Sequence, residues 1–291
     1  MSDAASTGAA RTPGMLLGAE PHRTAVLEPP GLPRDPWMSP GPTAGYQGPP
    51  LMPPMPPLGP PLLAIRMDEV TKVYPNGKHA VEDIDLVVPE GDFVFLVGPS
   101  GAGKSTLIKL LVCDEEATTG TLEVAGHDLG TIKRGEIPKL RRQIGIVFQD
   151  FRLLPRKTVR ENVAFALEVT GANRKQTRTT VDRLLGLVGL TGQADQRPGQ
   201  LSGGEMQRAA IARAMVHDPR LVIADEPTGN LDPLISWEII QLLLRINEMG
   251  TTVLMATHNA EVVTALRKRV VGLEAGRIVR DEVGGYHRDY A

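Results

Sequence analysis

Nine consecutive residues of the chain have the types and spacing of a loop that binds phosphate groups. They match the pattern G-x-x-x-x-G-K-[ST] at every fixed position and are Gly98, Pro99, Ser100, Gly101, Ala102, Gly103, Lys104, Ser105 and Thr106. The glycines allow backbone N–H groups to face the phosphates, and Lys104 adds a positive charge for the β- and γ-phosphates. The hydroxyl of Ser105 is suited to bind Mg²⁺. By itself, this loop predicts only that the chain binds a nucleotide.

The segments on both sides of this loop have the patterns that such a loop requires. Residues 93–97 form an apolar run that ends directly at Gly98, which predicts a buried strand. After the loop, apolar residues recur at helical spacing at Leu107, Ile108, Leu110 and Leu111. A strand, a glycine loop and a helix N-terminus in this order aim the helix dipole at a polyphosphate. A chance match to the pattern is therefore the weaker interpretation.

Two acidic residues follow another apolar strand. Asp225 and Glu226 come directly after residues 221–224. Ligands of open α/β sheets gather at the carboxyl ends of the strands. Asp225 is therefore expected to support the Mg²⁺ shell, and Glu226 to polarise a water for attack on the γ-phosphate. An acidic pair at a strand end is often only the start of a loop, so this interpretation depends on the phosphate loop upstream.

Three further polar or aromatic residues are candidates for the same site. His258 follows the strand predicted at residues 252–256 and could hydrogen-bond the γ-phosphate or hold Glu226. Gln149 ends the strand predicted at 144–148 and could reach Mg²⁺ or the attacking water. The ring of Tyr74 could stack on an adenine. Alternatively, His258 is a loop residue without a role and Tyr74 a half-buried aromatic.

Strands alternate with helices along most of the chain. Residues 65–86 predict two short strands joined by a turn at Pro75-Asn76-Gly77, and helical periodicity extends over about 156–216. Later helices are predicted at 206–216 and 237–246. This alternation predicts the α/β fold class, with a largely parallel sheet and a helical insertion between its two halves.

The first 64 residues differ sharply from the rest and hold sixteen of the 25 prolines. Such a composition favours extended chain and cannot pack a core, so a disordered extension is expected. The P-x-x-P spacings would also suit a peptide ligand, and a start codon placed too far upstream would explain the segment equally well.

Composition excludes several classes of protein. A net charge of −2 and a pI near 6.3 argue against nucleic acid as a partner. Cys113 is the only cysteine, so no intrachain disulfide forms, and a small buried core residue is expected there. No apolar stretch is long enough to span a membrane and no secretory signal is visible. We therefore expect a cytoplasmic protein that meets the membrane only through a partner.

Six separate elements stand in the order found in ABC-transporter ATPases, which the chain resembles from about Ile65 to Arg280. Besides the phosphate loop, these are Gln149, the segment Leu201-Ser202-Gly203-Gly204-Glu205, residues 221–226, residues 229–232 and His258. They resemble the family's Walker A, Q-loop, signature, Walker B, D-loop and H-loop. The resemblance implies a RecA-like core at 65–280, a small antiparallel β-subdomain and a helical subdomain at about 152–216. Residues 281–291 are then a C-terminal tail.

The resemblance also implies a homodimer on ATP binding. Family members pair head to tail, so the signature residues would bind the γ-phosphate of ATP held by the opposite subunit. Asn230 and Asp232 would lie across the interface and couple the two sites. Hydrolysis of ATP to ADP and phosphate would then separate the subunits.

Within the family, residues 148–155, 224–232 and 253–258 resemble cell-division ATPases of the FtsE type. Residues 148–155 discriminate best, because the string at 225–232 is also usual in lipoprotein-release and macrolide-export ATPases. This implies an FtsX-like integral membrane protein as partner, control of cell-wall hydrolases, and a place on the inner face of the plasma membrane. The residues expected to contact the partner are Phe151, Arg152, Leu153 and Leu154. An ATPase of a lipoprotein-release or macrolide-type exporter is the alternative, and a nucleotide-switched division scaffold is an alternative of another class.

Overall fold

The computed structural model describes residues 62–284. The predictions made for residues 1–61 and 285–291 lie outside this part of the chain. The strands are β1 (Leu63–Val73), β2 (His79–Pro89), β3 (Phe93–Val97), β4 (Thr119–Val124), β5 (His127–Asp128), β6 (Ile144–Phe148), β7 (Leu221–Asp225), β8 (Thr252–Ala256), β9 (Arg269–Glu274) and β10 (Arg277–Val283). The first described strand thus begins two residues before the expected start at Ile65, and the last described strand continues three residues past 280.

Seven α-helices connect these strands in the described region. They are α1 (Lys104–Leu111), α2 (Ile137–Arg142), α3 (Val159–Val169), α4 (Arg174–Leu187), α5 (Gly203–Ala214), α6 (Pro233–Glu248) and α7 (Ala260–Leu266). Short 3₁₀ turns lie at Thr191–Gln193 and Pro198–Gln200. Between residues 62 and 284, no helix combines the length and the apolar character needed to cross a bilayer.

The strands form two sheets, as the sequence predicts. The larger sheet has the order β10-β9-β3-β8-β7-β6, in which only β10 is antiparallel to its neighbour. The smaller sheet has the order β2-β1-β4-β5 and is antiparallel throughout. The α/β fold class, the parallel core and the small antiparallel β-subdomain are therefore confirmed.

The core lies on both faces of the parallel sheet. Alternate side chains of β3 point to opposite faces, so Phe93 and Phe95 pack with the helical subdomain and α6, while Val94 and Leu96 pack with α1 and the antiparallel sheet. All five residues of β3 and of β8 are buried. A parallel sheet that is covered on both faces needs such uninterrupted apolar strands.

The register of the parallel strands aligns their carboxyl ends. Leu96 pairs with Ala256, Ala256 pairs with Asp225, and Asp225 pairs with Phe148. Strands β3, β8, β7 and β6 therefore end at one level of the sheet. The loops that leave these strands begin side by side, which positions the candidate site residues together.

The helical insertion contains α3, α4 and α5. Helix α5 begins at Gly203, three residues before the predicted start at Met206, and ends at Ala214. The earlier start has a local cause, because Ser202 and Glu205 form a capping box that satisfies the first backbone N–H groups. Helix α6 likewise begins at Pro233, before the predicted start at Trp237, since Asp232 caps it.

Cys113 differs from its expected place in the core. It is only half-buried and follows the end of α1 with a left-handed backbone (φ 56°). Burial is still sufficient to raise the pKa of its thiol above the ordinary value. The residue packs at the edge of the core rather than inside it.

Candidate nucleotide-binding site

A cleft of about 990 Å³ opens at the aligned strand ends. Its volume lies in the range of sites that bind small molecules, about 300–1,000 Å³. The residues lining it that the sequence predicts are Tyr74, Gly98, Pro99, Ser100, Gly101, Gly103, Lys104, Ser105, Thr106, Asp225, Glu226 and His258. The structure thus brings the phosphate loop, the acidic pair and the histidine to one place, although more than 100 residues separate the loop from the acidic pair.

The backbone of the phosphate loop has a shape that only glycine allows at two positions. Gly98 has φ 151° and Gly103 has φ 111°. A Cβ atom at Gly98 would lie 2.2 Å from the carbonyl oxygen of Leu273, and one at Gly103 would lie 2.5 Å from that of Ala80. Neighbouring backbone therefore approaches the loop as closely as it can.

The loop presents donors and a positive charge to the cleft. Helix α1 begins at Lys104 without a side-chain cap, so its first N–H groups remain available for an anion. The ammonium group of Lys104 donates to the carbonyl oxygens of Gly98 (2.7 Å) and Pro99 (3.1 Å). These two bonds hold the ammonium group against the backbone of the loop, in the cleft where a bound polyphosphate would contact it.

Tyr74 lies at the rim of the cleft beside the phosphate loop. Its hydroxyl oxygen is 3.5 Å from Oγ1 of Thr106. The turn that follows is closed by hydrogen bonds from the Tyr74 N–H to the Lys78 carbonyl and from the Gly77 N–H to the Tyr74 carbonyl, each 2.9 Å. Tyr74 lines the cleft, and its expected stacking on adenine stays a prediction.

The acidic pair and the histidine form one group. Nδ1 of His258 is 2.8 Å from Oε2 of Glu226, and the Glu226 side chain is 18% exposed against 72% for His258. The N–H of Glu226 donates to the carbonyl of Ala256 at 3.0 Å, and the residue has a left-handed φ of 49°. The 2.8 Å separation places the imidazole of His258 against the carboxylate that the sequence predicts to polarise water.

Asp225 is half-buried and lines the cleft beside Glu226. Burial and the neighbouring carboxylate of Glu226 raise the pKa of Asp225, although the cation of Lys104 opposes this. Both effects disfavour its negative charge in the absence of a positive ligand. A cation beside it would relieve that cost.

The residues of the cleft fit Mg²⁺ better than a metal that requires a complete protein cage. Ser105 and Asp225 line the same cleft. Among residues 62–284, no cluster of three or more His, Cys, Asp or Glu side chains could hold a metal. Mg²⁺ typically takes one or two protein ligands and completes its shell with water and substrate phosphates. The donors of the cleft suit a cation that arrives with a polyphosphate.

Gln149 does not line this cleft in the structure. Its side-chain amide donates to Oδ1 of Asn230 (3.3 Å), and Nδ2 of Asn230 donates back to the Gln149 carbonyl (3.2 Å). Gly229 is so close that a Cβ there would lie 2.8 Å from the Gln149 amide nitrogen. The expected reach toward Mg²⁺ or water is thus replaced here by contacts with residues 229–230.

The signature residues lie apart from the cleft of their own chain. Oγ of Ser202 accepts from the N–H of Glu205 (3.3 Å), and the Glu205 carboxylate accepts from the Ser202 N–H (2.8 Å). Donation from the backbone N–H and the hydroxyl of Ser202 to the carboxylate lowers the pKa of Glu205. A Cβ at Gly204 would lie 2.5 Å from the Ile235 side chain, so only glycine allows α5 and α6 to approach so closely. None of Leu201, Ser202, Gly203, Gly204 and Glu205 lines the cleft.

The 151–154 loop, defined here as residues 151–154, is partly packed against the protein. The guanidinium of Arg152 lies 3.7 Å from the centre of the Phe148 ring. Leu153 packs against the core, and the backbone of Leu154 exchanges hydrogen bonds with the Asn162 side chain. Of the four residues, only Arg152 is exposed, and the other three are half-buried. The expected contact with a partner stays a prediction.

Sequence reasoning missed several residues that support these loops. Asn259 lines the cleft and caps α7, while Asn162 is fully buried and holds Leu154. Arg213 reaches from α5 to the 151–154 loop. The sequence signals for two of them were weak: Asn162 is a polar residue within an apolar helix, and Arg213 stands between two alanines.

Comparisons with known proteins agree with this geometry. Residues 81–229 match the family model described as ABC transporter. The cell division ATP-binding protein FtsE of Bacillus subtilis (strain 168) is 54% identical over 226 residues, which cover 78% of this chain and 99% of that protein. FtsE of Streptococcus pneumoniae (strain D39) is 53% identical over 221 residues, covering 76% of this chain and 96% of that protein.

A solved structure agrees in fold as well. A dimeric ATP-binding cassette in a post-hydrolysis state, bound to ADP and Pi, is 34% identical with a TM-score of 0.69, covering 77% of this chain and 100% of that one. The matched motifs, the shared fold and the complete cleft lead to one conclusion. The chain belongs to the ABC transporter ATPase family, resembles its FtsE members, and binds and hydrolyses ATP.

Proposed function

We propose that the chain is the ATP-hydrolysing subunit of an FtsE-like cell-division complex that acts through a membrane protein. One observation carries the catalytic part: the Glu226–His258 pair lies in the same cleft as a complete phosphate loop. The similarity to FtsE proteins over nearly their whole length supports the biological part.

The chain's own groups suffice to describe the reaction. The N–H groups at the start of α1 and the ammonium of Lys104 bind the β- and γ-phosphates of ATP. Glu226 accepts a proton from the water that attacks the γ-phosphate, while His258 fixes the direction of that carboxylate and offers Nε2 to the phosphate. Mg²⁺, which Ser105 and Asp225 would hold, neutralises charge on the phosphates when bound.

The proposed working unit is a homodimer that forms on ATP binding. The signature lies at the N-terminus of α5 and away from its own cleft, so a second copy is required to bring it to the γ-phosphate. Asn230 and Asp232 would lie at that interface. The dimeric state of the solved cassette supports this arrangement.

The proposed partner is an FtsX-like integral membrane protein, bound through the 151–154 loop on the cytoplasmic side of the membrane. The loop follows Gln149, whose amide contacts Asn230 beside the site. Nucleotide-dependent movement in residues 229–232 would therefore reach the loop through this contact. Cell-wall hydrolases outside the cell would respond through the partner.

The decisive experiment is purification of the Glu226→Gln protein from its own cells with MgATP, followed by identification of the membrane protein that elutes with it. A small four-span protein with a large extracytoplasmic loop would support the cell-division proposal. A larger exporter would leave the ATPase mechanism intact and overturn the proposed biology. Wild-type protein without nucleotide is the matched control, since it should release the partner more readily.

A further inference from the structure

One arginine of the signature helix binds two consecutive carbonyl groups of the 151–154 loop. Nη2 of Arg213, near the C-terminal end of α5, donates to the carbonyl oxygen of Phe151 at 2.9 Å. Nη1 of the same side chain donates to the carbonyl oxygen of Arg152. Phe151 and Arg152 both have left-handed backbones, with φ values of 58° and 46°. The tight turn that these values produce directs both carbonyls to a single guanidinium.

The guanidinium of Arg213 is removed from much of the solvent. Burial and the nearby cation of Arg152 lower the pKa of Arg213. The neighbouring carboxylate of Asp150 is 3.2 Å from Arg152 Nε. Arg213 therefore places a partly buried charge on two neutral carbonyls, an arrangement for which the planar fork of a guanidinium is suited and an ammonium is not.

The loop is held at its other end by the same subdomain. The side chain of Asn162, on α3, accepts from the Leu154 N–H at 2.7 Å and donates to the Leu154 carbonyl at 3.2 Å. Asn162 is fully buried, so these bonds are not exchanged for water. Only the chain that precedes the loop, through Gln149, connects it to strand β6 of the parallel sheet.

We propose that Arg213 is a positioning residue that makes the 151–154 loop and the signature helix move as one body when ATP binds. The proposal rests on the proposed function, in which ATP draws the signature toward the cleft of a second copy. Helix α5 carries the signature at one end and Arg213 near the other. A displacement of the signature is thereby passed to the loop through two hydrogen bonds rather than through the longer path of the chain.

A packing role is the competing explanation. If Arg213 only filled space, its replacement would lower the free energy of unfolding without separating the loop from α5. The two explanations differ in the local opening of the loop, which amide hydrogen exchange measures residue by residue.

The test is hydrogen exchange of the full chain with and without MgATP, for the wild type, Arg213→Lys and Arg213→Gln. Lysine keeps the charge and glutamine keeps two N–H donors, so at least one variant should fold. Arg208→Lys is the matched control, because Arg208 is also on α5 but pairs with Glu238 of α6 at 3.0 Å.

If the two hydrogen bonds from Arg213 clamp the loop to α5, breaking them should open the loop. In both Arg213 variants without nucleotide, the amides of residues 151–153 should then exchange at least about tenfold faster than in the wild type. The Arg208→Lys control should exchange at the wild-type rate. Addition of MgATP should change the exchange rates of the loop amides in the wild type and the control, but not in the Arg213 variants. ATP should still protect residues 98–106 in every protein, and the KM for ATP should change less than about twofold because Arg213 does not line the cleft.

If residues 151–153 of the Arg213 variants exchange at the wild-type rate without nucleotide, the proposal that Arg213 clamps the loop would be overturned. Failure of both variants to fold would leave Arg213 only a packing residue and would likewise overturn it. A third outcome is that the variants open the loop, but MgATP slows exchange in the wild type only at residues 98–106 and leaves the exchange rates of residues 151–153 unchanged. Both the proposed transmission to a partner and the proposal of concerted movement would then be overturned. The clamp itself would then stand as a static support.

Discussion

Nδ1 of His258 lies 2.8 Å from Oε2 of Glu226, across the ends of two neighbouring parallel strands. This contact gives the carboxylate a fixed direction and leaves Nε2 of the histidine for a ligand. The residue proposed to polarise water and the residue proposed to contact the γ-phosphate thus lie side by side.

Replacing His258 with alanine should lower kcat by about 10²-fold or more, because a positioned group in acid–base chemistry contributes roughly 10²–10⁴. The KM for ATP should change far less, since the phosphate loop is untouched. Steady-state hydrolysis rates would check this. His79→Ala, which alters an exposed histidine outside the cleft, is the control and should retain full turnover. Equal rates in both variants would contradict the role given to His258.

Replacing Glu226 with glutamine should abolish hydrolysis but preserve ATP binding. The amide cannot accept the proton of water, while the donors of the phosphate loop remain. The variant should therefore accumulate as an ATP-bound dimer. Light scattering with MgATP is the measurement, and a mass that stays monomeric at saturating nucleotide would argue against the dimer cycle.

Replacing Lys104 with alanine should raise the Kd for ATP by at least about tenfold, equivalent to about 1.4 kcal/mol, because one charge-assisted contact to the phosphates is lost. A titration with fluorescent ATP would measure the change. Lys109→Ala removes an exposed cation from the last turn of the same helix and should bind normally. Unchanged affinity on loss of Lys104 would refute the assigned phosphate contact.

Replacing Asn162 with alanine should lower the free energy of unfolding by about 1–3 kcal/mol, the cost of leaving buried polar groups without partners. The Leu154 N–H and carbonyl and the carbonyls of Lys157 and Thr158 would lose their bonds to it. Urea unfolding would measure the loss. Asn173→Ala, which removes a helix cap, should cost about 1 kcal/mol. A smaller effect at Asn162 than at Asn173 would contradict the buried network.

Removing divalent metal should stop hydrolysis, because the negative charge on the phosphates would then no longer be neutralised beside Asp225. Rates should fall to background in EDTA and return on addition of excess Mg²⁺. Turnover that persists in EDTA would show that the cleft functions without the ion.

Residue types and their spacing alone predict the phosphate loop, the α/β class and the order of the six motifs. These depend on local chemistry: glycines that permit unusual backbone angles, and apolar runs that must be buried. Such features can be predicted from sequence because each depends on residues that are close together in the chain.

Contacts between groups that are distant in sequence could not be predicted and follow from the three-dimensional fold. The register of the parallel strands places Glu226 beside His258 and Gln149 beside Asn230, and the packing of α5 places Arg213 on the 151–154 loop. No periodicity encodes these contacts, because they arise from strand order and helix packing between segments far apart in the chain. Residue types predicted the chemistry, and the alignment of strand ends determined where it occurs.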